Sequence, residues 1–315
     1  MNTKMYVSSS PHIHDNNSTQ RIMLDVIIAL TPCIVASLVI FGFRAIFIIF
    51  ICVLSCVVSE FLARKIMKRP NNIDDLSAVV TGILLAFNLP VNINPCIAAF
   101  GGIIAIVVVK QFFGGIGQNF VNPALCARII LMTSFPAQMS NFTVPFSYLN
   151  KSVDTLTTAT PLSKLTTTLP SYIDMFIGNI PGCIGEVSSL CLIGGGIYLL
   201  IRKVISPVIP LCFIATVFIL TYLLRADPLF HILSGGLLLG AIFMATDYVT
   251  SPITFKGRII FGIGCGIITV LIRIFGSLPE GVSFAIILMN ILVPHIENLT
   301  IPETFGKEKY LNEKV

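Results

Sequence analysis

The sequence contains few charged residues. Asp, Glu, Lys and Arg make up 11% of its 315 residues, whereas hydrophobic residues make up 55%. Soluble domains contain roughly 25% charged residues, and the mean hydropathy of +0.92 is far above theirs. Because a soluble chain of this length could not bury so much apolar surface, we expect the lipid bilayer to be its solvent.

Motifs that mark several classes of soluble protein are missing as well. The nine cysteines form no Cys-x-x-Cys pair, so we predict no iron–sulfur or zinc site built by this chain alone. There is no Walker loop and no Ser/His/Asp set, and the glycine-rich runs lie inside apolar segments, where they favour helix packing over dinucleotide binding. The net charge of +5 comes without a basic block, so we expect no nucleic-acid partner.

Long apolar runs make up most of the chain. The first starts near Ile22, after a polar segment that lacks the features of a cleaved signal, so we interpret it as a retained membrane helix. Ten runs suit membrane helices in length, although 76–90 and 121–135 are short. The predicted spans are 22–41, 45–62, 76–90, 95–113, 121–135, 183–201, 205–224, 230–247, 259–276 and 282–299. The sequence thus predicts an all-α integral membrane protein with about ten transmembrane helices.

The distribution of Lys and Arg predicts the orientation, because positive residues accumulate in cytoplasmic loops. With a cytoplasmic N-terminus, the inner segments hold fourteen Lys and Arg and the outer segments hold four, which are Arg44, Lys151, Lys164 and Arg225. We therefore expect a multi-pass protein of the cell membrane. Both termini would lie in the cytoplasm and the loop 136–182 outside it.

The two halves of the chain resemble each other weakly. "LSAVVTGILLAFNLP" (76–90) is similar to "LSGGLLLGAIFMATD" (233–247). Each half holds five spans, and an odd number gives inverted repeats, as in many transporters; chance similarity between Leu- and Gly-rich helices is the alternative. The predicted regions are a cytoplasmic tail (1–21), a first five-helix repeat (22–135), the outer loop (136–182), a second five-helix repeat (183–299) and a cytoplasmic tail (300–315).

Polar residues in or beside the spans need a physical reason, because ionisable groups are costly in a bilayer and are often functional. Arg128 lies in the middle of a short span, so it must have an anionic or carbonyl partner. The segment FFGGIGQNFVNPAL (112–125) predicts a re-entrant turn leading into a half-helix, with Pro123 in its first turn; an ordinary glycine-rich loop is the alternative. Broken helices expose carbonyl groups that can bind Na⁺. The candidate ion-path residues are Asp25, Asn119, Asn122 and Asp247, of which the two acids could instead lie at an interface or cap a helix.

A polar strip, DTLTTATPL (154–162), interrupts the apolar pattern within the outer loop. By composition it is an exposed Thr-rich loop or a capped turn. Its pattern, Asp-x-x-Ser/Thr-small-Ala-Thr-x-Leu, also resembles the flavinylation motif of membrane redox subunits, in which the phosphate of FMN is esterified to the last Thr. The matching residues are Asp154, Thr157, Thr158, Ala159, Thr160 and Leu162, with Thr158 in place of the more usual Gly. The resemblance implies a covalent FMN on Thr160.

Three further segments extend the resemblance over residues from about 20 to 300. "RIMLDVIIALTPC", "GGIGQNFVNPAL" and "GAIFMATDYVTSP" are similar to segments of the D subunits of Rnf electron-transport complexes. The B subunits of Na⁺-translocating NADH:quinone reductases are related and typically carry a longer N-terminal extension than the polar segment found here.

The resemblance implies a subunit of a complex that moves electrons between reduced ferredoxin and NAD⁺ and couples them to Na⁺ or H⁺ movement. This chain would hold one covalent FMN and a non-covalent riboflavin, while the NAD⁺ and ferredoxin sites lie on other subunits. The implied partners are the other Rnf subunits, including the G subunit with its own FMN, and membrane lipid. A transporter or channel without a redox role is the main alternative, and a structural membrane scaffold is another; the first leaves the strip 154–162 unexplained.

Overall fold

The computed structural model describes residues 18–70, 73–149, 157–158, 162, 170–186, 188–276 and 280–302. Three residues of the predicted flavinylation motif, Asp154, Ala159 and Thr160, lie outside the described residues. The backbone of Thr157 and Thr158 is described, and Leu162 is described in full.

The first half of the chain is helical and begins with two long helices separated by Gly42, whose φ of 76° ends the first helix. Two later helices resemble each other in how they start: Asn94 caps one and Asn122 caps the other, and a proline follows each cap. The helices are α1 (Thr19–Phe41), α2 (Phe43–Ile66), α3 (Ser77–Phe87), α4 (Pro95–Ile103), which continues as a π-helical segment (Ile104–Gln111), and α5 (Pro123–Ser134); a 3₁₀ turn (Ile73–Asp75) precedes α3.

The segment between the halves holds short elements. They are α6 (Pro136–Met139), β1 (Phe142–Thr143), a 3₁₀ turn (Ser147–Leu149), β2 (Thr157–Thr158) and α7 (Tyr172–Ile177). β1 and β2 pair antiparallel, with Phe142 opposite Thr158 and Thr143 opposite Thr157. This ladder holds two residues of the predicted flavinylation motif, Thr157 and Thr158, against the strand that follows α6.

The second half is also built from long and short apolar helices. Its elements are α8 (Ser189–Ile201), α9 (Val208–Leu223), α10 (Pro228–Leu233), α11 (Leu237–Leu239), which continues as a π-helical segment (Gly240–Met244), α12 (Phe255–Phe275) and α13 (Val282–Thr300). The predicted span 230–247 is therefore divided into two pieces. At the break Gly235 has a φ of 66°, which favours glycine, and Arg273 donates hydrogen bonds to the carbonyls of His231 and Ser234.

Four of the described helices, α1, α2, α12 and α13, are long and apolar enough to cross a membrane. Five of the other six predicted spans contain shorter apolar helices, and the sixth, 230–247, contains only the short pieces described above. The all-α, apolar character expected of a multi-pass membrane protein is confirmed, while the number of ten crossings and the inverted repeats stay predictions. The only strands in the described residues are β1 and β2.

The core forms where the long helices pack on the short ones. α2 packs against α3 and α4, α12 against α9 and α13, and α1 against α8, so α1 joins the two halves. Close approach is permitted at Gly82, where an added Cβ would lie 2.7 Å from the Cα of Val53. Many large apolar side chains face outward, such as Phe43, which is 77% exposed. An outward apolar surface of this kind suits contact with lipid.

Candidate functional site

One cavity lies between the two halves and brings together three of the four predicted ion-path residues. It measures about 120 Å³ and is lined by Asn119, Asn122 and Asp247, together with apolar side chains of α1, α3 and α8. Each of the two π-helical segments contributes a lining residue, Lys110 from the first and Phe243 from the second. Since π-helical turns are frequent at functional sites, we treat this cavity, named the inner cavity for its predicted cytoplasmic side, as the first candidate site.

Asn122 holds the start of α5 and contacts the other half of the chain. Its Oδ1 accepts hydrogen bonds from the backbone N–H groups of Ala124 at 3.1 Å and Leu125 at 3.3 Å. Its Nδ2 donates to the carbonyl of Met244 at 3.3 Å, at the end of the second π-helical segment. The predicted position of Pro123 in the first turn of a helix is confirmed. The Asn122 side chain therefore connects the start of α5 in one half to the end of the π-helical segment in the other.

Asn119 is buried and Asp247 is half-buried, and both line the inner cavity. Asp247 accepts hydrogen bonds from the hydroxyl of Thr250 at 3.1 Å and the backbone N–H of Val249 at 3.5 Å, so it also caps the turn after the π-helical segment. Asn119 donates to the carbonyl of Val121 at 3.0 Å. These amide and carboxylate groups can bind a cation or the polar edge of a small ligand.

Asp25 lies apart from the other three ion-path candidates. It is buried in α1 and pairs with α8, where it accepts hydrogen bonds from the hydroxyl of Tyr198 at 2.9 Å and from Arg202 at 3.2 Å. The Arg202 side chain is half exposed. The structure therefore gives Asp25 a partner of opposite charge and a place in the contact between the halves, outside the residues that line the inner cavity.

A buried ion network that the sequence pattern did not reveal adjoins the inner cavity. Glu60 of α2 is fully buried and accepts hydrogen bonds from the Lys110 ammonium, at 2.9 Å to each oxygen, and from Gln111 at 2.8 Å. Arg64 lies 3.3 Å away, one turn later in α2. Lys110 also donates to the hydroxyl of Ser77 at 2.6 Å. Because Lys110 and Ser77 line the inner cavity, this network sets the charge on one of its walls.

Glu60 could have been found from the sequence as an acidic residue inside the predicted span 45–62. One acidic residue changes the high hydropathy of this span little, and Lys110 is one of the fourteen Lys and Arg that the charge count assigns to the inner segments. Their pairing joins residues that are 50 positions apart. A pattern within one segment carries no information about such a contact.

Arg128 has the anionic partners that its position in a short span requires. Its guanidinium contacts the carboxylates of Glu280 and, at 3.4 Å, of Glu186. It also donates to the amide oxygen of Asn88 at 2.5 Å. All four side chains are buried. The prediction that Arg128 has an anionic partner is confirmed. Through this cluster, Arg128 and Asn88 of the first half contact two carboxylates of the second half.

A second cavity lies beside this cluster and is named the outer cavity. It measures about 400 Å³ and is lined by Arg128, Glu280, Cys183 and mainly apolar residues that include Phe142 and Phe284. Ligand pockets for small molecules typically measure about 300–1,000 Å³ and combine apolar walls with a few polar groups. The outer cavity has the size and character of such a pocket.

Both described parts of the motif strip lie next to the outer cavity. Phe142, which lines the cavity, pairs with Thr158 in the β1–β2 ladder. Leu162 lies against Gly235, where an added Cβ would be 2.7 Å from the Leu162 Cδ1 and 3.7 Å from the Cγ of Glu280. Glu280 lines the cavity as well. The described residues of the strip, Thr157, Thr158 and Leu162, therefore lie near one pocket.

One carboxylate oxygen of the outer cavity has no hydrogen-bond partner among the described residues. It is Oε1 of Glu280, which lines the cavity and is buried. The hydroxyls of Thr143 and Ser283 are buried and unpartnered as well, and these residues are the chain neighbours of the lining residues Phe142 and Phe284. Buried polar groups are normally satisfied by protein, water or ligand. The outer cavity thus combines apolar walls with an available polar atom, which fits a ligand with both apolar and polar parts.

Cys183, Glu186 and Glu280 place one potential ligand atom each within 4.8 Å of one another. The guanidinium of Arg128 contacts both carboxylates of this group. Arg128 thus supplies the positive charge that these carboxylates need. We therefore interpret the group as part of the ion-pair cluster and not as a metal site.

Comparison with known proteins gives matches over nearly the whole chain. The D subunit of the Na⁺-translocating ferredoxin:NAD⁺ oxidoreductase complex of Acetobacterium woodii is 48% identical, over 98% of this chain and 97% of that protein. The D subunit of the proton-translocating ferredoxin:NAD⁺ oxidoreductase complex of Clostridium ljungdahlii is 43% identical, over 96% of both chains. The D subunit of an ion-translocating oxidoreductase complex of Stutzerimonas stutzeri is 38% identical, over 92% of this chain and 93% of that protein.

The model of the NQR2, RnfD, RnfE family matches residues 6–306, which include every helix and strand described above. A match of this extent, with relatives of 38% to 48% identity, leaves no part of the fold outside the resemblance. The chain belongs to the NQR2, RnfD, RnfE family.

Proposed function

We propose that this chain is the D subunit of an ion-translocating ferredoxin:NAD⁺ oxidoreductase in the cell membrane. The observation that carries the proposal is the 48% identity, over nearly the full chain, to a relative with that role. The assembly would include the other Rnf subunits, among them the G subunit with its own FMN. Ferredoxin and NAD⁺ would bind to those subunits, and this chain would relay electrons and couple them to ion movement.

Within this proposal, Thr160 carries FMN through a phosphoester bond. Three observations support it: the sequence pattern 154–162, the pairing of β2 with a strand that borders the outer cavity, and the position of Leu162 beside Glu280. FMN would supply one- and two-electron redox chemistry. The described residues would hold the adjoining pocket in shape, with Arg128 fixed by its carboxylate and amide partners. A non-covalent riboflavin within the membrane completes the flavin content that the resemblance implies.

Ion coupling in this proposal uses the inner cavity. Asn119, Asn122 and Asp247 offer oxygen atoms to Na⁺, and Asn122 also contacts the other half through Met244. Redox changes of a flavin would shift the halves and open the cavity alternately to either side, with the termini in the cytoplasm and the loop 136–182 outside. Moving one charge against 100 mV requires about 2.3 kcal/mol. A potential difference of a few hundred millivolts between electron donor and acceptor exceeds that requirement.

Flavin attachment is tested on the purified complex, run on a denaturing gel and viewed under ultraviolet light. We expect a fluorescent band for the wild-type chain and none for Thr160→Ala. Thr155→Ala is the matched control, because it removes a hydroxyl from the same strip at a position outside the motif pattern. A dark wild-type band would favour a transporter without a redox role, and a bright Thr160→Ala band would exclude attachment at Thr160.

A further inference from the structure

A third cavity lies where α8 ends and α9 and α12 begin. It measures about 490 Å³ and is named the basic cavity, because two cationic residues, Lys203 and Arg258, line it. Ser206 and Tyr248 add hydroxyl groups to the wall, and the remaining lining residues are apolar. Tyr248 also lines the inner cavity, so the two spaces share part of one wall.

The two cations of the basic cavity have no acidic partner among the described residues. The neighbouring Arg202 differs from them, because it is paired with Asp25. Arg258 donates its Nε hydrogen to the carbonyl of Pro252 at 3.2 Å, which orients the guanidinium and leaves its terminal nitrogens available. Lys203 has a φ of 57° in the turn that ends α8. The cavity therefore presents two positive charges that the described chain leaves uncompensated.

The surface next to the basic cavity is apolar. Ile201 is 74% exposed at the end of α8, and Leu211 is 64% exposed one turn after the cavity residue Pro207. Phe255 is 65% exposed one turn before Arg258. A soluble anion would need only the cations, whereas this site combines the cations with an apolar strip on the same three helices.

We propose that the basic cavity binds the headgroup of an anionic phospholipid. Lys203 and Arg258 contact the phosphate, since charge-assisted hydrogen bonds to phosphate are strong and Arg binds it with two nitrogens. Ser206 donates a further hydrogen bond, and the acyl chains lie along Ile201, Leu211 and Phe255. Basic pockets between membrane helices are typical headgroup sites. The proposal depends on the membrane location of the chain and is independent of the flavin proposal.

The test is a titration of the delipidated, detergent-solubilised complex with phosphatidylglycerol, followed by native mass spectrometry. We expect Lys203→Gln and Arg258→Gln each to weaken binding about fivefold and the double variant roughly 30-fold, from about 1 kcal/mol per cation at a membrane surface. Lys256→Gln is the control, because it removes an exposed cation two positions from Arg258 that does not line the cavity. Its affinity for phosphatidylglycerol should equal that of the wild type.

Other outcomes would overturn the proposal. Full competition by excess inorganic phosphate would identify a site for a free anion, and equal affinity for phosphatidylcholine would remove the role of net charge. Unchanged lipid affinity in the double variant, together with loss of another subunit from the complex, would identify a protein contact. If the double variant fails to assemble, the affinity for phosphatidylglycerol is measured in the two single variants and in the charge-keeping variant Lys203→Arg. Wild-type affinity in both single variants would overturn the proposal. The charge-keeping variant should bind like the wild type.

Discussion

Arg128 and Glu280 are 152 positions apart in the chain, and their side chains form a buried ion pair. Arg128 belongs to α5 in the first half, and Glu280 precedes α13 in the second. The side chains are 6% and 7% exposed. This pair and its neighbour Glu186 join the two halves beside the outer cavity, while Asn122 joins them at the inner cavity.

We predict that Arg128→Met destabilises the protein by about 3–5 kcal/mol, because two carboxylates would stay buried without their cation. The measurement is thermal unfolding of the purified complex. Arg202→Met is the matched control: it also removes an arginine that pairs with a carboxylate of the other half, but Arg202 is half exposed. We expect a smaller loss in Arg202→Met, because solvent reaches this pair and Asp25 keeps its hydrogen bond from Tyr198. Equal losses of stability in the two variants would contradict the assigned role of burial.

The network of Glu60 and Lys110 should behave as one unit. Lys110→Met and Glu60→Gln each leave a buried partner unsatisfied, at a cost of about 3–5 kcal/mol for a broken buried ion pair. The double variant should lose less stability than the sum of the two single variants, because the paired charges are removed together. Additive losses in thermal unfolding would show that the two groups do not interact. Lys65→Met, which removes an exposed cation from α2, should change stability little.

The sequence predicted the features that depend on local pattern. Apolar runs located most of the helices within a few residues, and Pro123, predicted in the first turn of a helix, located the start of α5. The need of Arg128 for an anionic partner followed from its position in a span. Its partners Glu186 and Glu280 did not, because the contact is made between distant segments.

The missed features arise from tertiary contacts. The break in the predicted span 230–247 depends on Gly235 and on Arg273 of α12, which satisfies carbonyls freed at the break. The pattern of 230–247 alone is that of a continuous apolar helix. Glu60 was missed because one acidic residue changes the hydropathy of a long apolar run little. Asp25 is predicted as an ion-path candidate together with Asn119, Asn122 and Asp247, and the structure places it outside the lining of the inner cavity, against α8.

Asn122→Ala should reduce ion transport relative to electron transfer. The variant loses a helix cap, which costs about 1 kcal/mol, and also the contact with Met244 across the halves. Asn94→Ala is a close control, because Asn94 caps α4 before a proline in the same way but is exposed and lies outside the inner cavity. The measurement is ²²Na⁺ uptake by vesicles divided by their electron-transfer rate. A similar reduction in both variants would attribute the effect to helix capping alone.

Asp247→Asn and Asp25→Asn separate the two acidic candidates for the ion path. Each variant removes a negative charge and keeps a side chain of the same shape. We expect Asp247→Asn to lower the ratio of ²²Na⁺ uptake to electron transfer, because Asp247 lines the inner cavity. Asp25→Asn should leave this ratio at the wild-type value, since Asp25 is neutralised by Arg202. The reverse result would place the ion path at the contact between α1 and α8.

Gly235→Ala should lower flavin attachment at Thr160 through its effect on the motif strip. The added Cβ would lie 2.7 Å from the Cδ1 of Leu162 and 3.2 Å from a terminal nitrogen of Arg273, so Leu162 would have to move. The φ of 66° adds backbone strain of roughly 1–2 kcal/mol for a residue other than glycine. Gly117→Ala isolates this strain, because Gly117 has a φ of 82° and no atom lies within 4 Å of its added Cβ.

Flavin fluorescence per chain on a denaturing gel gives the comparison between the two glycine variants. We expect the signal to fall in Gly235→Ala and to persist in Gly117→Ala, although strain of similar size destabilises both proteins. Leu162→Ala combined with Gly235→Ala removes the clash and should restore part of the signal, provided that the attachment enzyme accepts Ala at that position. The single variant Leu162→Ala measures that acceptance. Wild-type fluorescence in Gly235→Ala would show that the contact between Leu162 and Gly235 does not position Thr160 for attachment.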